Sequence, residues 1–253
     1  MSGHSKWANI KHKKNAMDVK RGVAFTKLAR EIAVACRQGG SGDPINNHRL
    51  RLAIDKAKQA NMPQDNIERA INKGLGTSSD SSALDEAIYE GYGPGGAAIL
   101  VQTVTDNRNR TSAEVRTAFT RAGGSLGGAG SVAWLFENKA LITIDHMDDV
   151  KAEELTLAII DAGAEDFELS GETLETWGPP STLDPICRMI ETLGFKASTS
   201  TITMLPQTTA QLDESAQIQT IRLLEKLDDL DDVNQVFTNA EFSDAILEKY
   251  QSS

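Results

Sequence analysis

The residues best suited to chemistry sit at the start of the chain. The stretch SGHSKWANIKHKK sets Lys6, Lys11, Lys13 and Lys14 around His4, His12 and the aromatic Trp7. Ammonium groups contact phosphates, and an indole stacks on an exposed base at little entropic cost, so the pattern predicts a nucleic-acid-binding arm. The same composition also fits a solvated terminus whose Trp7 folds back on the first helix. A second cationic stretch is TDNRNRT, residues 105–111, where Arg108 and Arg110 leave a predicted strand and meet the start of a helix. Guanidinium forks beside helix N-terminal amides make a phosphate site. Alternatively, Asp106 pairs with one arginine while Asn107 and Asn109 form the turn, and one turn can do both.

Other motifs carry less. Gly91, Gly93 and Gly96 in GYGPGG match the spacing of a dinucleotide loop. Such a loop must run into a helix, whereas this one runs into AAILVQTV, a strand pattern, so a tight turn is expected. Gly123, Ser125 and Gly127 match a nucleophile elbow, but the predicted elements come in the opposite order to the strand and helix that an elbow needs. His4, His12, His48 and His146 lack paired metal-ligand spacing. The run Asp228–Asp232, DDLDD, lacks the glycine and terminal glutamate of a calcium loop and reads as a solvated turn. Asp148, Asp149, Glu153 and Glu154 suit a helix N-terminus, where they complement the macrodipole. Cys36 and Cys187 lie far apart and read as buried small hydrophobes. No catalytic residue, cofactor or metal is expected.

The 253 residues suit two or three domains, with an ordinary apolar share of 40%. No apolar run approaches membrane-spanning length, and charges occupy the place of a signal peptide's apolar region, so a cytoplasmic protein with no membrane partner is expected. The net charge of −10 is unevenly distributed: residues 1–75 hold 15 Lys/Arg against 6 Asp/Glu, and the remaining 178 hold 11 against 30. A basic module attached to an acidic body follows, and the acidic body limits phosphate binding to one face.

The elements that must position these residues follow from periodicity. Asp18 can cap a helix that stops at Gly39 and Gly40, with Lys20, Arg21, Lys27, Arg30 and Arg37 off its apolar face. Asp43-Pro44 starts a second helix ending near Asn61, and Pro63 a third closed by Gly74. GTSSDSS, residues 76–82, has linker composition. Thereafter AIYEGY and AAILVQTVT read as strands, TSAEVRTAFTRAGG as a helix, GSLGGAG as a loop and SVAWLF as a strand. Residues 138–206 then give β-α-β-β-α-β, the ferredoxin-like order. The tail, a helix over 213–227 and the strand VNQVFTNA, has no sheet of its own, so it is expected to return to the earlier one. The expected fold class is α+β: a basic three-helix domain with its arm (1–79), a discontinuous α/β domain (80–137 plus 207–253), and an inserted ferredoxin-like domain (138–206). A sequential arrangement is the alternative.

SGHSKWANIKHKK, NMPQDNIERAINKG, YEGYGPGG, TDNRNRT and GGSLGGAGSVAWLF together resemble the YebC family, in order and over essentially the whole chain. Mitochondrial members of that family are translational activators of cytochrome oxidase. The resemblance implies a three-domain α/β architecture with a helical N-terminal domain. It also implies DNA-binding transcriptional regulation, with a link to ribosome-associated translation. Ser2 and Lys13 depart from the family's usual alanine and arginine without changing the character of the arm.

The expected function is non-enzymatic nucleic-acid binding in the regulation of gene expression, with DNA or ribosomal RNA, and through it the ribosome, as partner. Lys6, Trp7, Lys11, His12, Lys13 and Lys14 are the first candidate contacts, extended by Lys20, Arg21, Lys27 and Arg30, with Arg108 and Arg110 as a second site. Physically, the lack of an identifiable recognition helix favours structured RNA, while the family description favours DNA. Two alternatives are a nucleotide-binding enzyme using the glycine-rich loops and a protein-interaction module using the acidic body.

Overall fold

The computed structural model describes residues 21–77, 84–145 and 149–251. Among these residues it has eight α-helices and two four-stranded antiparallel sheets, an α+β architecture in several units.

The first unit is helical: α1 (Arg21–Gly39), α2 (His48–Gln59) and α3 (Gln64–Gly74). Leu28, Ile32, Ala35 and Cys36 recur on one face of α1 and pack with Leu50, Ala53 and Ile54 of α2 and with Ile67 and Ala70 of α3. The Asp18 cap lies outside the described residues. The second helix begins later than Asp43-Pro44 predicts. Asn46 donates its amide to the Asp43 carbonyl at 3.1 Å and closes a turn, and Asn47 becomes the cap, accepting from the Leu50 amide at 3.1 Å. Asn47 also donates to the Ala35 carbonyl at 2.8 Å, so one buried side chain both starts α2 and ties it to α1.

The first sheet contains β1 (Asp85–Tyr92), β2 (Ala98–Thr105), β3 (Ser125–Leu126) and β8 (Val233–Thr238), in the order β3-β1-β2-β8. One face packs on α4 (Arg108–Arg121), α7 (Glu214–Asp228) and α8 (Asp244–Gln251), burying Ile99, Val101, Phe119, Leu224 and Phe242. The α8 helix has no counterpart among the expected elements. The opposite face is covered at one end by Ala33 and Val34 of α1 against Leu84 and Val104. At the other end Val132 and Phe136 meet Ala98, Leu100 and Phe237. GYGPGG is the β1–β2 connection, a 3-10 turn over Pro94–Gly96 with Gly95 and Gly96 at φ 70° and 83°.

The second sheet has the order β5-β6-β4-β7: β4 (Phe136–Ile144), β5 (Asp166–Ser170), β6 (Thr173–Gly178) and β7 (Thr199–Pro206). With α5 (Asp149–Asp161) and α6 (Leu183–Thr192) it forms the ferredoxin-like βαββαβ unit, whose core includes Ala140, Ile142, Leu155, Ile159, Ile186 and Ile190. All four of these strands lie in sequence between β3 and β8, so the ferredoxin-like unit is inserted and the tail completes the first sheet beside β2. SVAWLF is not a strand in its own right. Ala133–Leu135 make a 3-10 turn, and Phe136 already belongs to β4.

Candidate nucleic-acid interface

Lys6, Trp7, Lys11, His12, Lys13, Lys14 and Lys20 lie outside the described residues, and Arg21 is the first residue of α1. Five other cations of the helical unit meet groups of the sheet-bearing units, although Arg37 and Arg49 stay exposed. Lys27 donates to the Asp228 carbonyl and sits 3.7 Å from its carboxylate. Arg30 donates to the Asp231 carbonyl, and its Nη1 lies 2.9 Å from Asp232 Oδ1, close enough for an ion pair although outside hydrogen-bonding geometry. Arg37 donates to the Leu84 carbonyl at 2.6 Å, Arg49 pairs with Glu86, and Arg51 meets Asp184 at 2.6 Å. The helical unit is thus joined by its own cations to carboxylates and carbonyls of both sheet-bearing units. Part of the charge asymmetry that the sequence presents as a signal for a partner is satisfied within the chain.

Lys27 and Arg30 reach the acidic run Asp228–Asp232, which is the expected helix-to-strand turn with Asp229 and Asp231 exposed, but its last residue is not solvated. Asp232 is 2% exposed. Its Oδ2 accepts from Thr105 Oγ1 at 2.9 Å, Thr111 Oγ1 at 2.7 Å and Arg110 Nη2 at 2.6 Å. Burial pushes this carboxyl up, but Arg110, the two hydroxyls and the nearby Arg30 outweigh it and hold it below the usual carboxylate range. Arg110 also pairs with Asp106 at 2.8 Å and is held more firmly protonated as a result. Asn107 caps α4 by accepting from the Arg110 amide at 3.1 Å. Arg108 lies 3.3 Å from Asp85 and donates to the Glu86 carbonyl at 3.3 Å. Of the two arrangements open for TDNRNRT, the geometry is that of a capped turn whose arginines meet carboxylates of this chain.

The end of the glycine-rich segment 123–131 closes around another buried carboxylate. Glu90 on β1, 6% exposed, accepts from the amides of Gly130 at 2.7 Å, Val132 at 2.8 Å and Ala133 at 2.7 Å. Successive amides turned towards one point form an anion nest, and here the chain fills it with its own side chain. Burial alone would raise the Glu90 carboxyl; the three donors reverse this and bring it below its ordinary value. A nucleotide phosphate would have to displace Glu90 to use these amides. Ser125 follows α4 directly and lies in β3, so the elbow order of strand then helix does not occur.

Glu90 and Asp232 are the residues that sequence reasoning misses. A lone glutamate in a strand and an aspartate in a charge run carry no spacing signal, because their partners are up to about two hundred positions away. Among the described residues no cluster of His, Cys, Asp and Glu could hold a metal ion, and no helix is long and apolar enough to cross a membrane. Cys36 is buried, whereas Cys187 is half-buried beside α6's core face, and burial pushes both thiols up. A pocket of about 260 Å³ on the ferredoxin-like sheet is lined by Trp177, Glu175 and Lys139, the last paired with Glu137 at 3.2 Å and with Glu165.

Comparison with known proteins places this geometry. Residues 5–77 match the model of the TACO1/YebC protein N-terminal domain, and residues 84–240 that of the TACO1/YebC second and third domain. A protein of Roseiflexus castenholzii named probable transcriptional regulatory protein is 48% identical over 254 residues, covering 100% of both chains. A namesake from Herpetosiphon aurantiacus is 49% identical, covering 99% of this chain and 98% of its own. The crystal structure of a conserved hypothetical protein from Aquifex aeolicus superposes with a TM-score of 0.79 at 45% identity, over 90% of this chain and 93% of that one. With both family models matched in order and relatives aligned end to end, the chain belongs to the TACO1/YebC family.

Proposed function

We propose that this protein is a non-enzymatic regulator of gene expression that binds nucleic acid through its N-terminal segment. The carrying observation is the distribution of cations. Lys27, Arg30, Arg37, Arg49 and Arg51 are engaged with the α/β body, Lys56 with Glu31 and Arg69 with its own helix. The densest run of cations in the sequence is Lys6, Lys11, Lys13, Lys14, Lys20 and Arg21, around Trp7 and His12, and these are the groups that the proposal assigns to the partner. In this proposal Lys27, Arg30, Arg108 and Arg110 orient the helical unit on the body rather than touch phosphate directly. The name probable transcriptional regulatory protein carried by the relatives supports a regulatory role.

Co-sedimentation with ribosomes across a salt series, beside binding to duplex DNA, tests the proposal in wild type and in a Lys11/Lys13/Lys14→Ala variant. Binding that weakens with salt and is lost in the variant supports the arm as the contact. Ribosome association selects a translational role, and duplex binding alone selects a transcriptional one. A wild-type protein that binds neither overturns the proposal.

A further inference from the structure

The acidic body keeps one concentration of cations that it does not use itself. In the sheet-bearing units Arg108, Arg110, Lys139 and Lys249 are paired within the chain. Arg116, Arg121, Arg222 and Lys226 are exposed and make no ion pair among the described residues, and all four lie on α4 and α7. These helices are neighbours on one face of the first sheet and share its core through Ala118, Phe119, Leu223 and Leu224.

Helical spacing gathers polar groups along the seam between the two helices. Arg110, Glu114, Thr117 and Arg121 form a single row down α4. Arg110, at the head of that row, meets Asp232 beyond the end of α7, so the row faces α7 and the helices run antiparallel. On α7, Ser215, Gln219, Arg222 and Lys226 repeat the same spacing and are exposed. The opposite side of that helix is taken by α8 and the residue before it: Glu225 accepts from Tyr250, Glu214 pairs with Lys249 at 3.1 Å, and Gln217 accepts from the Ser243 amide at 3.0 Å. The two rows therefore border one groove, about 16 Å long at 1.5 Å of rise per residue.

The lining decides what fits. Arg121, Arg222 and Lys226 supply charge, while Thr117, Gln219 and Ser215 supply hydroxyl and amide groups of the kind that bond phosphate oxygens. Glu114 is the one acid in the two rows. The exposed large apolar side chains of the described surface, Trp134, Leu157 and Phe167 among them, all lie off α4 and α7. The groove thus offers a protein partner no apolar anchor and an unpaired base no ring to stack on. Asp229 and Asp231 are exposed at the Lys226 end, so phosphate contacts centre on Arg121 and Arg222. We infer that this groove is a second nucleic-acid contact, distinct from the arm, which holds the phosphate backbone of a duplex without reading its bases. Lys27, bonded to the Asp228 carbonyl beside this groove, follows the start of α1 by about 9 Å of helical rise, which sets the arm and the groove within reach of one duplex. The inference rests on the nucleic-acid reading of the function.

The test is a titration of the full chain, across a salt series, with a labelled sixteen-base-pair duplex made as DNA and as RNA. Arg121→Ala/Arg222→Ala is compared with wild type, with Lys11/Lys13/Lys14→Ala, and with Arg188→Ala/Lys196→Ala, which removes two exposed cations of the ferredoxin-like unit. The replaced groove positions are exposed, so thermal midpoints should stay near wild type. The groove variant is expected to make the slope of log affinity against log salt shallower by about two, with the ferredoxin-unit variant unchanged. Glu114→Gln, which removes the acid of the groove, should tighten binding about threefold. An unchanged slope in the groove variant and unchanged affinity in Glu114→Gln, alongside loss in the arm variant, would overturn this contact and leave the arm standing. Equal changes in the two double variants would show that net charge alone matters, which also overturns it. Loss of ribosome co-sedimentation in the groove variant with duplex binding unaltered would make the groove a protein contact and overturn it as well. A wild type that binds neither duplex removes the groove contact, and one that binds no nucleic acid at all removes both proposals.

Discussion

Glu90 and Asp232 do by charge what a core does by volume. Each is a buried carboxylate whose desolvation is offset by several donors from elements distant in sequence, so removing its charge should loosen those elements together. Glu90→Gln keeps the shape but sets an NH2 group against one of three amides. We expect a loss of about 3 kcal/mol in chemical denaturation and faster hydrogen exchange at Gly130, Val132 and Ala133. Unchanged exchange at these amides would show that the carboxylate does not hold the loop. Both carboxyls are held below their ordinary values in the folded state. The stability they contribute is therefore complete at neutral pH, where folded and unfolded forms are both ionised. It is lost as acid carries the solution below the usual carboxylate range and through their folded values. The wild type should lose stability on acidification more steeply than Glu90→Gln or Asp232→Asn, and parallel pH profiles would contradict the assignment.

At the scale of elements, α1 is the strut of the molecule, because it packs on its own helical partners and, through Ala33 and Val34, on the first sheet. Lys27 and Arg30 bind its first half to the turn before β8. Replacing both with alanine should weaken this docking by about 1 kcal/mol at low salt, and less at high salt, where the native pairs are already screened. Hydrogen exchange along α1 would report it, and an effect independent of salt would argue against an electrostatic joint. Local elements were legible in the sequence where the cause is local. Pro63 ahead of α3, the helix over 213–227 and the period change after the helical unit all have causes within a turn or two, although the Asn107 cap starts α4 at Arg108, three residues before the expected Thr111. SVAWLF shows where legibility ends. Its composition favours a strand, but Glu90 takes the amides of Val132 and Ala133 and so removes the donors that a ladder there would need. The second helix was drawn too early because Pro44 supplies a start signal that Asn47, three residues on, overrides with a side-chain cap. For the candidate site, the arm and the glycine motifs could be seen as composition. The pairing of Asp106 with one arginine of TDNRNRT was among the readings, but the bonds of Lys27, Arg30 and Arg110 to the tail could not be seen, because that tail comes more than a hundred residues later.

For the whole molecule, the charge asymmetry has two consequences that separate in salt. Internal pairs between the helical unit and the body weaken with salt only through screening, whereas contacts between the arm and phosphate also release counterions and weaken more steeply. For the Lys11/Lys13/Lys14→Ala variant we expect the slope of log affinity against log salt to become shallower by about two to three, at unchanged thermal stability. An unaltered slope would place the phosphate contacts elsewhere. The inserted topology bears on how the protein is made. The side of β2 that pairs with β8 belongs to a strand buried at nearly every position, and its partner lies beyond the entire ferredoxin-like unit. At cellular synthesis rates, on the order of ten seconds pass between completion of β2 and emergence of β8. During that interval the nascent chain carries an open, apolar sheet edge while the inserted unit is able to fold behind it. A chain ended after Pro206 should be trapped in that state. We expect it to self-associate in sedimentation, while residues 136–206 alone stay monomeric and folded. The last strand is thus the one that takes this protein out of reach of its own neighbours on a polysome.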